Sequence, residues 1–219
     1  MDETAPIRAF RDQYRKENVG SHYSGWAHVG FTLVASLGAI AFACTRVHAP
    51  RLAEWAVLPL GFLFANVSEY FGHKGPMHRP VRALRILFQR HAREHHRFFT
   101  SEAMHYESPR DFKMVLFPPV MLFFFLGALA TPLAAILFWA VSPNAGWLFV
   151  AVAMSYFLTY EALHFAYHLQ PDSWVGRLPF MDVLRRHHSR HHDPKLMGRY
   201  NFNITFPICD RLFRTSWRG

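Results

Sequence analysis

A chain of 219 residues is long enough for one domain with a real core, and its 51% apolar and 16% aromatic content beside a mean hydropathy of only +0.01 means that apolar and polar residues are segregated along it. The 24 Lys and Arg stay out of the long apolar runs, as in a polytopic membrane protein, so the net charge of +9 and pI near 10.0 mark loops facing anionic headgroups. Nucleic acid is excluded as a partner because no basic stripe is interleaved with stacking aromatics, and Cys44 and Cys209 are too few and too far apart for a disulfide framework or a CxxC metal motif.

The predicted elements make one integral membrane domain over 1–219. Residues 1–25 form a polar, mixed-charge cytoplasmic segment without the short basic start and apolar stretch of a cleavable signal peptide. Residues 26–72 hold two spans: Trp26 to Cys44, with Trp26 at the interface, and Leu52 to Gly72, less pure because it contains Glu54, Pro59, Asn66, Ser68 and Glu69. His28, alone at its helical spacing, is read as a buried, hydrogen-bonded or interfacial histidine. Residues 73–111 are polar and lie outside lipid. Residues 112–168 hold two further spans. The first, Phe112 to Val141, contains Pro118, Pro119 and Pro132 and fits either a kinked span or a span with a re-entrant piece. The second, Trp147 to His168, follows a turn at Ser142 to Gly146. Residues 169–219 close the chain as a cytoplasmic cap.

With four crossings and both termini inside, the inner segments carry twenty-two Lys and Arg and the outer loops only Arg46 and Arg51. The same count places every histidine cluster on one side of the membrane, which a shared metal site requires.

Those clusters are the chemical signal. Eleven of the fifteen histidines fall into four groups: His73 with His78; His91 with His95 and His96; His164 with His168; and His187, His188, His191 and His192. Neutral imidazole suits iron, zinc or copper, and eleven are too many for one tetrahedral zinc but enough for two metals of higher coordination number. On an ideal helix His91 and His95, and His164 and His168, share a face. His73 and His78, five apart, do not, unless Gly75 and Pro76 break the helix. Glu69 and Glu161 each stand near a cluster and are candidates to accept a hydrogen bond from a ligand imidazole; for Glu69 a place at the water boundary fits equally. His22, His48 and His105 read as surface or loop residues. Carboxylates are scarce at the clusters, unlike the Glu-rich ligand set of soluble di-iron bundles, and the HExxH pattern of zinc proteases is missing. A metal transporter would place its ligands near the middle of several spans, whereas these gather at span ends.

The set HKGPMH, HAREHH, HFAYH and HHSRHH resembles the histidine boxes of the fatty acid hydroxylase and sterol desaturase superfamily of membrane di-iron enzymes, over Asn66 to Thr215. ESPRDFKMVLFPP and YNFNITFPICDRLFRT look like the fatty acid 2-hydroxylase branch. The resemblance implies an all-α fold of about four transmembrane helices under a cytoplasmic helical cap, two Fe ions (or Zn in purified material), O2 as co-substrate, and hydroxylation of a lipid C–H bond. Sterol or carotenoid hydroxylation or desaturation remains open beside a fatty acyl substrate. One metal would take His73, His91, His95, His188 and His191, and the other His78, His96, His164, His168 and His192. The chain departs from the family at Ala92, where a histidine is more common, and in carrying His187, which could replace His188 or stand behind the ligands as a supporting residue. The fused cytochrome b5 module of some relatives, with its HPGG motif, is missing, so electrons would come from a separate donor, a ferredoxin or a cytochrome b5-like protein with its reductase, docking on the basic inner face.

Overall fold

The computed structural model describes residues 5–219, and among them the fold is all-helical, with one isolated bridge between Thr100 and Ala103. The helices in chain order are α1 (Ala5–Asn18), α2 (Gly25–Thr45), α3 (Val57–Gly72), α4 (Arg85–Phe88), α5 (His96–Phe98), α6 (Phe112–Val115), α7 (Pro119–Phe124), α8 (Thr131–Ala140), α9 (Pro143–Tyr167), α10 (Met181–His191) and α11 (Ile208–Leu212). π-helical turns cover His73–Met77, Gln89–His95 and Phe125–Ala130.

The described residues divide into two compact units interleaved along the chain. A histidine unit takes residues up to 25, 66–116 and 162–219, and an apolar unit takes 26–65 and 117–161.

The apolar unit contains most of the residues of three segments long and apolar enough to cross a membrane: Gly25–Thr45, Pro109–Ala140 and Pro143–Tyr167. The expected second span is shorter than its sequence suggests. Its first turn, Leu52–Ala56, is a 3-10 helix, and α3 alone has 16 residues, about 24 Å at ~1.5 Å per residue against ~30 Å of hydrocarbon. Glu54 explains part of this. Its carboxylate accepts the Arg51 backbone N–H (2.6 Å), the Ser142 hydroxyl and the Asn144 amide (3.3 Å), so it ties two loops together instead of facing lipid. Asn144 also exchanges two hydrogen bonds with the His48 backbone, both at 2.9 Å.

The last span starts four residues earlier than expected. The Ser142 hydroxyl accepts the Ala145 N–H (3.1 Å) as an N-cap, Pro143 takes the first helical position where no N–H is needed, and the turn shrinks to Ser142. Inside the unit Phe62 meets Tyr156 and Phe64 meets Phe149 edge to face, while Gly61 lies against Val152 and Phe149 with no room for a Cβ. His28 is buried on α2, with Nε2 donating to Phe117 O at 3.0 Å. A non-helical stretch at Leu116 to Pro118 and a π turn at Phe125–Ala130 interrupt the long third run, as its prolines suggested.

In the histidine unit, α1 packs its buried Tyr14 on Phe98, beside Val19, Phe99, Met114 and Val115. Tyr70, Phe202 and Cys209 form a second apolar cluster. Both cysteines are free thiols.

Candidate metal centre

Ten histidines converge in two groups. His73, His78, His91, His96 and His191 form the first, and His95, His164, His168, His188 and His192 the second; within each group one nitrogen per ring lies within 4.8 Å of all the others. Every member except half-buried His78 is buried.

Backbone geometry explains how residues with unfavourable spacing meet. His73 and His78 are five apart, and so are His91 and His96. Each pair begins within or is enclosed by a π-helical turn, whose i→i+5 bonding brings residues five apart onto one face. The Nε2 atoms are then 3.2 Å apart in the first pair and 3.1 Å in the second. The same turn over Gln89–His95 sends His95 to the other group, where its Nε2 stands 3.2 Å from those of His164 and His192. The partition therefore differs from the one implied by the resemblance: His78 and His96 belong with His73, while His95 and His188 belong with His164, His168 and His192. The one-residue displacement of His91 is absorbed by the π turn.

In α10 the i, i+4 pair is His188 and His192, Nε2 to Nε2 at 3.0 Å, while His191 turns to the first group, 3.0 Å from His78. His187 lies outside both groups. Its Nε2 lies 3.4 Å from the Asp210 carboxylate instead. His188, not His187, joins the cluster. His105 also stays out, donating from Nδ1 to Leu169 O at 2.9 Å.

The outward nitrogens decide what the inward ones can do. Backbone carbonyls accept from Nδ1 of His95 (Met114 O, 3.0 Å), His168 (Met104 O, 2.7 Å), His192 (Phe99 O, 2.6 Å), His191 (Tyr200 O, 3.0 Å) and His73 (Phe202 O). A carbonyl can only accept, so each Nδ1 carries the proton and each Nε2 of the neutral ring is a bare lone pair. His95 and His192 consequently oppose two lone pairs at 3.2 Å, and no hydrogen bond can be drawn between them. A shared cation resolves the contact: two ligands at ~2.1 Å and a right angle are about 3.0 Å apart, and about 3.4 Å at a tetrahedral angle. The Nε2 separations of 2.7 to 3.3 Å fit that donor set.

Burial, reinforced by the neighbouring imidazoles, pushes His91, His95, His96, His168, His188, His191 and His192 well below the usual histidine range, and burial brings His73 to about 4. Neutral rings are the form that binds metal.

The two carboxylates near the clusters act at one remove. Glu69 accepts the Ile204 and Thr205 backbone N–H groups and the Thr205 hydroxyl (2.6 Å), while the Nδ1 of His73 goes to Phe202 O. Glu161 accepts the Phe117 N–H at 3.1 Å. Neither belongs to the histidine groups.

The segment Tyr200–Thr205 supports the first group. Asn201 adopts φ 58°, a left-handed conformation that Asn tolerates, and it separates the two residues whose carbonyls hold His191 and His73. The fully buried Asp210 carboxylate accepts the N–H groups of Phe202 (2.9 Å) and Asn203 (2.7 Å) and the Thr215 hydroxyl (2.7 Å). Those donors and His187 hold its pKa down although burial pushes the other way. Asp210, Asn201 and Asn203 carried no ligand signal in the sequence; their clue was an acid and two amides interspersed with Phe202, Ile204, Phe206 and Ile208.

The fold and this centre define a helical membrane protein built around two all-histidine groups that could hold metal ions. The chain belongs to the fatty acid hydroxylase family, whose family model, described as Fatty acid hydroxylase, matches residues 58–215. No curated protein and no solved structure matches the chain. All ten grouped histidines lie inside the matched residues, which places the chain with a family of membrane oxidoreductases.

Proposed function

We propose that this protein hydroxylates a C–H bond of a lipid, a fatty acyl chain first, using O2 and electrons from a separate donor. The observation that carries the reading is the pairing of two five-imidazole groups inside a fatty acid hydroxylase match. Each group would hold one iron. When bound, the pair supplies the redox chemistry with O2 that side chains alone cannot, since attack on an unactivated C–H bond needs a strong oxidant. One oxygen atom enters the C–H bond to give an alcohol, and the other leaves as water after uptake of two electrons and two protons.

The chain's own residues have a narrower task. Five backbone carbonyls fix rings and tautomers before any ion arrives, so each Nε2 is presented unprotonated. Burial keeps water and protons from those lone pairs.

The reading includes a fourth crossing, through Leu52 to Gly72, and a cytoplasmic position for the histidine unit. Both rest on the excess of Lys and Arg in the segments flanking the spans. The donor would be an acidic ferredoxin or a cytochrome b5-like protein attracted by that charge. The closing segment Tyr200 to Thr215, similar to the fatty acid 2-hydroxylase branch, favours an acyl chain over a sterol or carotenoid. Transport is disfavoured because the grouped histidines all fall in the histidine unit and none in the apolar unit.

Two measurements test the proposal. Metal analysis of protein purified without oxygen should give close to two irons per chain, lost in the His191→Ala, His192→Ala double variant. Lipid profiles of cells with and without the active gene should differ by a hydroxylated acyl species that the double variant fails to make. A hydroxylated sterol or carotenoid would move the substrate within the family, and no oxidised lipid at all would end the reading. Zinc found alone in purified material would not decide between them, because imidazole sites take zinc readily.

A further inference from the structure

We propose that Arg11, on the helix α1 that precedes the matched residues, is a positioning residue for the second histidine group. The inference rests on the reading that each group holds a metal ion.

Arg11 is 3% exposed, a burial that arginine tolerates only when its guanidinium is fully engaged. Here it is. Nε donates to Phe98 O at 2.8 Å, Nη2 to Ala103 O at 2.5 Å, and Nη1 to the Glu107 carboxylate at 2.8 Å. The guanidinium also lies over the rings of Phe98 and Phe99, 5.1 and 5.3 Å from their centroids.

These partners are one residue away from the groups that hold ligands. Phe99, next to Phe98, gives its carbonyl to His192 Nδ1, and its ring lies 4.1 Å from that of His168 and 5.4 Å from that of His95. Met104, next to Ala103, gives its carbonyl to His168 Nδ1. One side chain therefore fastens both stretches of backbone that aim His192 and His168, two of the five rings of the second group. The first group draws its carbonyls from Tyr200 and Phe202, while the Arg11 guanidinium donates to Phe98, Ala103 and Glu107. Neighbouring contacts lock α1 in place: Arg15 pairs with Asp111 (2.8 Å) and Glu107 (2.6 Å), and Arg90 donates to the Tyr14 hydroxyl (2.8 Å). Lysine could not replace Arg11, since its single ammonium lacks the planar fork that spans three acceptors.

The test is metal titration of the full chain. Protein purified in detergent, stripped with a chelator and titrated with Co2+ without oxygen should take two equivalents. In Arg11→Met one equivalent keeps the wild-type affinity and the other weakens about 10-fold or more, the usual effect of losing a contact that orients a ligand. Arg11→Lys falls between, and carries the comparison where the methionine variant does not fold. Assignment comes from two backgrounds: the effect persists in His73→Ala, His191→Ala and disappears in His168→Ala, His192→Ala. Wild-type protein that takes fewer than two equivalents refutes the two-metal reading itself. Two equivalents in wild type with both retained in the Arg11 variants, or both weakened alike, refute the role of Arg11 and leave that reading standing.

Discussion

Lowering the pH of the metal-free protein should open the histidine unit over a narrow range. Nine grouped imidazoles outside the spanning helices have folded pKa values pushed below the ordinary 6.5, by burial first and by one another second. Such groups are neutral in the fold and protonated in the unfolded chain once the pH drops below 6.5, so the unfolded state binds more protons and stability falls with pH. Their contribution is complete above the unfolded value and is lost as the pH falls toward the folded one. From about pH 7.5 to about pH 5.5 each such ring costs about 1.4 kcal/mol. Nine independent rings would cost roughly 12 kcal/mol, as much as a whole domain's usual stability of about 5–15 kcal/mol. The assay is the thermal midpoint by tryptophan fluorescence, in one detergent, for stripped and metal-loaded protein at three pH values. Stripped protein should lose its cooperative transition before pH 5.5 or so, and loaded protein should keep it to lower pH because ions compete with protons for the same lone pairs. An unchanged midpoint in the stripped protein across that range would refute the argument.

Replacing Asp210 by Asn puts amide hydrogens toward the N–H groups of Phe202 and Asn203, leaving at least one buried donor unmet; a stability loss of about 1–3 kcal/mol is expected, with weaker metal binding in the first group and none of that weakening in the second, read by chemical denaturation and Co2+ titration. His187→Ala should retain both metal equivalents, since its ring faces Asp210 and not the centre; loss of an equivalent would restore it as a ligand. Gly61→Ala forces a Cβ onto Val152 and Phe149 and should cost about 1–3 kcal/mol in thermal stability without changing metal content.

Much of this architecture could be read from residue types because lipid and metal impose simple demands. Long apolar runs and four histidine clusters are legible in the sequence, and ten of the eleven clustered histidines do meet. What stayed hidden depended on backbone that no residue type announces. Ideal helical spacing paired His91 with His95 and left His73 and His78 apart, whereas two π turns exchange those relations. Adjacent His187 and His188 were indistinguishable as residue types; the buried carboxylate of Asp210 beside one of them separates the two. The carbonyls of Phe99, Met104, Met114, Tyr200 and Phe202 are invisible in principle, because every residue has one. Glu69 and Glu161 stand near histidines in the sequence; in the fold Glu69 accepts the Thr205 N–H and hydroxyl and Glu161 the Phe117 N–H, bonds that residue spacing does not announce. The second span, less pure in sequence for Glu54, Pro59, Asn66, Ser68 and Glu69, begins with a 3-10 turn in which Glu54 accepts the Arg51 N–H.

Interleaving of the two units along the chain sets an order on biosynthesis. Neither group is complete until α10 and His192 just after it have left the ribosome, since they supply His191 to one group and His188 and His192 to the other. By then all three candidate spans have been made, so neither group can be assembled until after those stretches have been synthesised. A chain terminated before Met181 would keep all its apolar stretches and hold neither group intact.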